Sequence, residues 1–225
     1  MFVAESLGHG KLIARLRSLR NRHPWLPVVV VTRGLADNAR LLADLTVDEV
    51  VWLRDVDEEL ASAIRRAEGQ AVLARLAAAV EASGRATLFL RGALIEVFRS
   101  RRPIRSVNEL ARRVGSSRIT LWREWRGCVP SVRLLELLAW VVLVRAASYK
   151  APGQPWRTVA AALEVDEKTL ARWSRGICGV TLRELARDPL ALSRSPTIAA
   201  VVERVVDQDA ETFWGEMKRI AVDAA

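Results

Sequence analysis

The spacing of hydrophobic positions changes character near residue 85, from mixed helix and strand signals to helix alone. Leu12, Ile13, Leu16 and Leu19 recur at helical intervals, with Arg15, Arg17 and Arg20 on other faces. Pro24 closes that helix. The β-branched run over 26–32, bounded by prolines and Gly34, predicts a buried parallel strand. A helix over 37–45 and a second strand over 47–53 follow. Asp57 then begins a helix with Leu60, Ile64, Leu73 and Leu76 on one face, running through an alanine-rich stretch to Glu81 before Gly84 breaks it.

Beyond Thr87 no strand signal competes. Leu90, Leu94, Ile95 and Phe98 predict a helix stopped near Pro103. Ser106 and Glu109 have capping-box spacing and open a short helix through Val114, with Gly115 as its left-handed stop. Ser116 and Ser117 offer an N-cap for a helix over 118–126, and Pro130 separates this from an apolar helix over 132–148, about 28 Å long. The layout then repeats. Thr158 caps a helix over 159–163, a turn falls at Glu164 and Val165, and Asp166 caps a helix over 167–175. Leu110-Ala111 matches Val159-Ala160, Val114 matches Leu163, and Thr120-Leu121 matches Thr169-Leu170, each at an offset of 49 residues. A repeated short helix, tight turn and polar helix is a tandem helix-turn-helix pattern. Trp122, Trp125, Trp140, Trp156 and Trp173 read as core. A last helix over 210–221 carries Phe213, Trp214, Met217 and Ile220 on one face.

The expected fold is therefore an α/β amino-terminal segment followed by an all-α tandem helix-turn-helix domain, mostly helical overall. The expected organisation is residues 1–68 as the α/β segment, 69–84 as a helical linker, 85–192 as the helix-turn-helix domain and 193–225 as a helical extension. The 225 residues, 51% of them hydrophobic, suffice to bury a core.

Net charge is +9, and only 4 of the 35 cationic side chains are Lys. Its distribution changes the picture more than its sum. Residues 1–70 are balanced, with 10 basic and 10 acidic side chains; residues 71–155 carry 15 against 5; residues 156–195 carry 7 against 5. A concentrated basic region attracts a polyanion, most often nucleic acid. Codon bias toward Arg also produces Arg-rich surfaces, so charge alone does not decide the partner.

Other chemistries find little support. Cys128 and Cys178 have no metal-ligand spacing, and His9 and His23 are the only histidines, so no metal or other cofactor is expected. No Ser or Cys motif stands beside either His, Gly8-His9-Gly10 is not a phosphate loop, and Glu58 and Glu59 point to different helix faces. An enzyme is not expected. The longest apolar run, Leu137 to Val144, is far short of a membrane span, and no signal peptide is evident, so a cytoplasmic protein is expected.

Over roughly 86–190 the repeat resembles the DNA-binding domain of AraC-type transcription regulators, in which two helix-turn-helix units are joined by one long helix. The resemblance rests on Val107, Leu110-Ala111, Val114-Gly115, Ser117, Thr120-Leu121 and Arg123, and then on Val159-Ala160, Leu163, Thr169-Leu170, Arg172 and Gly179-Val180-Thr181. Leu182 departs from the family's usual proline, and Glu164 from its customary turn glycine. The resemblance implies double-stranded DNA as partner. A recognition helix would present Ser116, Ser117, Arg118, Thr120 and Arg123 to base edges, with Ile119 and Leu121 filling the core or touching a thymine methyl. Arg101, Arg102, Arg105, Ser106, Arg112 and Arg113 would meet the phosphate backbone. In the second unit Arg157, Thr158, Lys168, Thr169, Arg172 and Arg175 would contact DNA, opposed by Asp166 and Glu167, which repel phosphate; that unit either binds DNA weakly or serves mainly in packing. The rival reading is a helical interaction module whose basic face binds an acidic protein.

Residues 10–67 resemble the second half of a response-regulator receiver domain, through Pro24 to Thr32 and Val47 to Leu53. Thr32 falls at the family's switch position and Arg54 near its Lys. The acidic pair and phosphorylated Asp of receivers are not found, with Phe2-Val3-Ala4-Glu5 as the remnant of the third strand; no phosphoacceptor and no Mg²⁺ are expected. So small a sheet needs cover, either from a second copy in a homodimer or from the chain's own helices.

Overall fold

Valines place one strand at the centre of a small parallel sheet. The computed structural model describes residues 2–3, 14–18, 26–33, 47–100 and 102–215. Strand β2 (Val29–Thr32) is buried along its whole length, and lies between β1 (Phe2–Val3) and β3 (Glu49–Trp52). Both pairings are parallel, with Phe2 opposite Val30 and Val31 opposite Val51. A strand is therefore present at Phe2 and Val3, paired with β2. Asp48 accepts from the Val28 amide at 2.8 Å and fixes the entry to β3. Thr32 is buried, whereas Arg54 is exposed beside Asp55. In the segment 14–18, helical as expected, Leu16 is buried between exposed Arg15 and Arg17. The expected helix over 37–45 and residues 12, 13, 19, 20 and 24 lie outside the described residues.

Helix α1 (Val56–Ala82) is one continuous element of 27 residues. The chain divides into two compact units inside it, Met1–Arg75 and Leu76–Ala224. In the first unit Ala63 and Ala67 of α1 pack with Val29, Val31 and Val51, flanked by Leu60 and Ile64. Small residues let the helix approach the sheet closely. Arg66 grips Glu49 through two bonds, Nε at 3.0 Å and Nη2 at 2.8 Å, and so ties α1 to β3.

The second unit is helical throughout its described length. Its elements are α2 (Leu88–Arg99), α3 (Val107–Arg113), α4 (Arg118–Cys128), α5 (Leu134–Tyr149), α6 (Trp156–Ala162), α7 (Glu167–Trp173), α8 (Leu182–Arg187) and α9 (Pro196–Val201). Single π-type turns, Ser174–Cys178 and Val202–Val206, prolong α7 and α9. The core forms around α5, in which every residue from Leu137 to Ala146 is buried. A helix apolar on all sides belongs at the centre of a bundle. Its single charge in that stretch, Arg145, donates to the Ser100 carbonyl, and burial lowers its pKa. Trp140 donates to the Leu192 carbonyl at 2.9 Å. With 16 residues α5 is about 24 Å long, shorter than the sequence spacing suggested, because its first turn begins at Leu134 rather than at 132.

Two helix pairs, α3–α4 and α6–α7, repeat at the 49-residue offset down to individual hydrogen bonds. Ser116 N–H donates to the Ala111 carbonyl at 2.9 Å, and Val165 N–H to the Ala160 carbonyl at the same distance. Gly115 and Glu164 occupy equivalent left-handed positions, with φ of 63° and 54°. Leu121 and Leu170 are both fully buried. Details of the capping differ from expectation. Ser106 caps the Glu109 amide at 3.1 Å, but the Glu109 carboxylate reaches the Arg105 amide rather than that of Ser106. Thr158 is not a cap: α6 starts at Trp156 behind Pro155, leaving Thr158 inside the first turn. Asp166 caps α7 through the Lys168 amide at 2.7 Å.

The left-handed turn makes a checkable prediction. A Cβ at Gly115 would meet nothing within 4 Å, so only backbone strain opposes alanine there. Gly115→Ala should cost about 1 kcal/mol in urea denaturation, whereas Glu164→Gly, which relieves the same strain, should fall within about 0.5 kcal/mol of the parent.

Candidate nucleic-acid interface

Helix α4 buries one face and exposes another of different chemistry. Leu121 and Trp125 point inward, and the Trp125 indole donates to the Val132 carbonyl at 2.6 Å. Glu124 leaves the outer face by accepting from the Thr87 hydroxyl at 2.6 Å. Arg118, Arg123 and Arg126 are exposed, and among the described residues none of them forms an ion pair. Interleaved with them are Ile119, 68% exposed, and Trp122, 59% exposed. Trp122 is thus not core, which corrects the sequence reading, and of the two roles expected for Ile119 its exposure excludes the interior one. Leu121 and Trp125, at i, i+4, form the buried stripe; Ile119, Arg123 and Arg126 stand away from it, while Arg118 and Trp122 flank it on the exposed side.

The start of α4 has no acidic residue in its first turn. The Ser117 hydroxyl accepts from the Thr120 amide at 3.0 Å and lies 2.9 Å from the Thr120 hydroxyl. Ser116 is half-buried in the turn. An open groove of about 350 Å³ runs beside this face, lined by Asn108, Arg118, Trp122, Arg126 and Leu135 among others. Arg112 and Arg102 are exposed, and Arg112 is without an ion pair among the described residues.

Two cations of the expected backbone-contact set are already engaged within the fold. Arg113 bonds Glu96 at 3.2 Å, Glu109 at 2.9 Å and the Ser100 hydroxyl at 2.7 Å. Arg105 pairs with the Glu164 carboxylate at 3.0 Å and also donates to the Glu164 main-chain oxygen. Arg101 lies outside the described residues. The Glu109 carboxyl sits below its ordinary value: burial raises it, but donors on Arg105 and Arg113 outweigh that. A folded-state pKa depressed in this way stabilises the fold above the unfolded value near 4.5, and the stabilisation is lost as pH falls through the folded value. Glu109→Gln should therefore flatten the acid limb of a melting-temperature profile and leave the neutral region's slope unchanged.

In the second pair Lys168, Arg172 and Arg175 are placed as follows: Lys168 and Arg175 are exposed, as are Arg157 and Thr158, while Thr169 is half-buried and Arg172 lies on the polar face of α7. Arg123 and Arg126 stand 49 residues before Arg172 and Arg175. The residues that carry the repeat end at Arg123 and do not single out Arg126; the 49-residue offset from Arg175 does. Exposed Glu167 at the start of α7, with Asp166 as its cap, gives this pair a less positive entry than α4 has. Trp156 and Trp173 are not core, although Lys150 Nζ lies 5.7 Å from the Trp156 ring centroid.

Cys128 and Cys178 are free and half-buried, and burial pushes the Cys178 thiol up to about 11. No described helix is long and apolar enough to cross a membrane. Comparison with protein-family models, with curated proteins and with solved structures finds no match to the chain.

Proposed function

We propose that the chain is a sequence-reading, double-stranded DNA-binding regulator of transcription, with α3–α4 and α6–α7 as tandem helix-turn-helix units. The observation that carries this reading is the exposed α4 face, where Arg118, Arg123 and Arg126 have no ion pair among the described residues. Leaving such a row of guanidiniums without carboxylates suits a polyanion partner, and Arg reads guanine through paired bonds in the major groove. Arg172 and Arg175 repeat part of the row at the second unit. Asp166 and Glu167 make that second contact the weaker one. The amino-terminal segment is a receiver-like module without phosphorylation switching, and its small sheet supports homodimerisation. The protein acts in the cytoplasm, on the nucleoid, and is not an enzyme.

Ile119 and Trp122 favour one competing reading, in which the same face docks an acidic protein, since exposed aromatic and apolar side chains beside Arg also mark protein interfaces. Titration of labelled genomic duplex fragments, with and without excess poly-glutamate, separates the two. A DNA reader retains some fragments in the presence of the competitor. Loss of all fragments to poly-glutamate supports the protein partner.

A further inference from the structure

The contact between Arg105 and Glu164 joins the entry of the first helix pair to the turn of the second. Arg105 stands immediately before the N-cap Ser106 of α3, and its own amide is held by Glu109 at 3.1 Å. Its guanidinium spans to residue 164, where it meets both the carboxylate, at 3.0 Å, and the main-chain oxygen. Two acceptors on one residue fix direction as well as distance. Glu164 is also one of only two non-glycine residues with positive φ among those described. Strained backbone of this kind persists where its surroundings over-determine it, and here the carboxylate so placed is the one that Arg105 takes. The equivalent turn of the first pair uses Gly115, which has no side chain to hold.

We propose that Arg105 and Glu164 form a clasp that sets the separation and angle of α4 and α7, so that the two helices read DNA at one fixed spacing. The DNA consequence rests on the function proposed above; the clasp itself does not. Arg105 is thus a positioning residue and not a phosphate contact. Helix α5 joins the pairs covalently, but it ends at Tyr149 and residues 150–155 intervene before α6. The clasp adds a second, non-covalent tie between the pairs.

Two readouts on the full chain test this. Amide exchange at Glu164 and Val165 should quicken roughly three- to ten-fold in Arg105→Ala, as expected when a partly exposed ion pair with a main-chain bond is removed. Gly115 and Ser116, in the matching turn, should exchange at parent rates. The swap Arg105→Glu with Glu164→Arg should recover much of the protection. In parallel, selection from a pool of duplexes randomised over about 30 base pairs, nearly three helical turns, should give the parent a two-part element with one spacing. Arg105→Ala should enrich the same parts over several spacings, an effect that neither lower stability nor a missing phosphate bond would produce. Parent-like exchange in Arg105→Ala, a retained single spacing, or an undivided element for the parent would overturn the proposal. If the parent enriches nothing while exchange still quickens, the clasp stands and the DNA reading falls.

Discussion

Replacing Arg118 and Arg123 together by Glu is expected to weaken duplex binding by at least about 100-fold while leaving the fold intact. Each replacement removes a cation and adds a repelled anion, and a specific Arg–base pair is worth about 1–3 kcal/mol of discrimination. At about 2 kcal/mol each, two such changes total about 4 kcal/mol, more than about 100-fold, since about 1.4 kcal/mol is tenfold. The salt slope should also fall, by about 0.9 for each phosphate that the variant no longer neutralises. Both side chains are exposed and unpaired among the described residues, so their reversal breaks no internal ion pair and stability should move by less than about 0.5 kcal/mol. Unchanged binding by a folded variant would place the ligand elsewhere.

The second large effect concerns neighbouring tryptophans with opposite duties. Trp125 is 2% exposed, and its indole bonds the Val132 carbonyl, which shapes the chain between α4 and α5. Trp125→Ala should cost about 4 kcal/mol in urea denaturation, because it opens a cavity and strands a buried carbonyl. Trp122, three residues earlier and 59% exposed, should cost less than about 0.5 kcal/mol when cut to Ala. Its removal should instead weaken binding. Equal costs at the two positions would contradict the orientation of α4, and with it the assignment of the outer face.

Much of the helical architecture was legible because its signals are local. The 49-residue repeat follows from apolar spacing and from cap and turn residues, and the structure reproduces it in the matching bonds at Ser116 and Val165. Strands β2 and β3 were legible from β-branched runs between turn formers. Orientation was less so. Tryptophan spacing alone favoured the core for Trp122, because size and i, i+3 spacing with Trp125 do not say which of them faces inward. Ion pairing was hidden for a similar reason. Arg105 and Arg113 look like free cations in sequence, yet their partners Glu164 and Glu96 lie 59 and 17 residues away. Long-range ion pairs leave no periodic trace. Thr181 with Glu184 is a different omission, since a capping box was readable there; each accepts from the other's amide, at 3.2 and 2.7 Å, and starts α8.

Affinity for genomic duplex fragments, followed by fluorescence anisotropy across a salt series, tests DNA binding most directly. Log affinity should fall linearly with log salt, with a slope reflecting several displaced counterions, and a subset of fragments should survive at higher salt. Absence of binding to every fragment at the lowest salt would contradict the DNA-reading function and leave the α4 face to a protein partner.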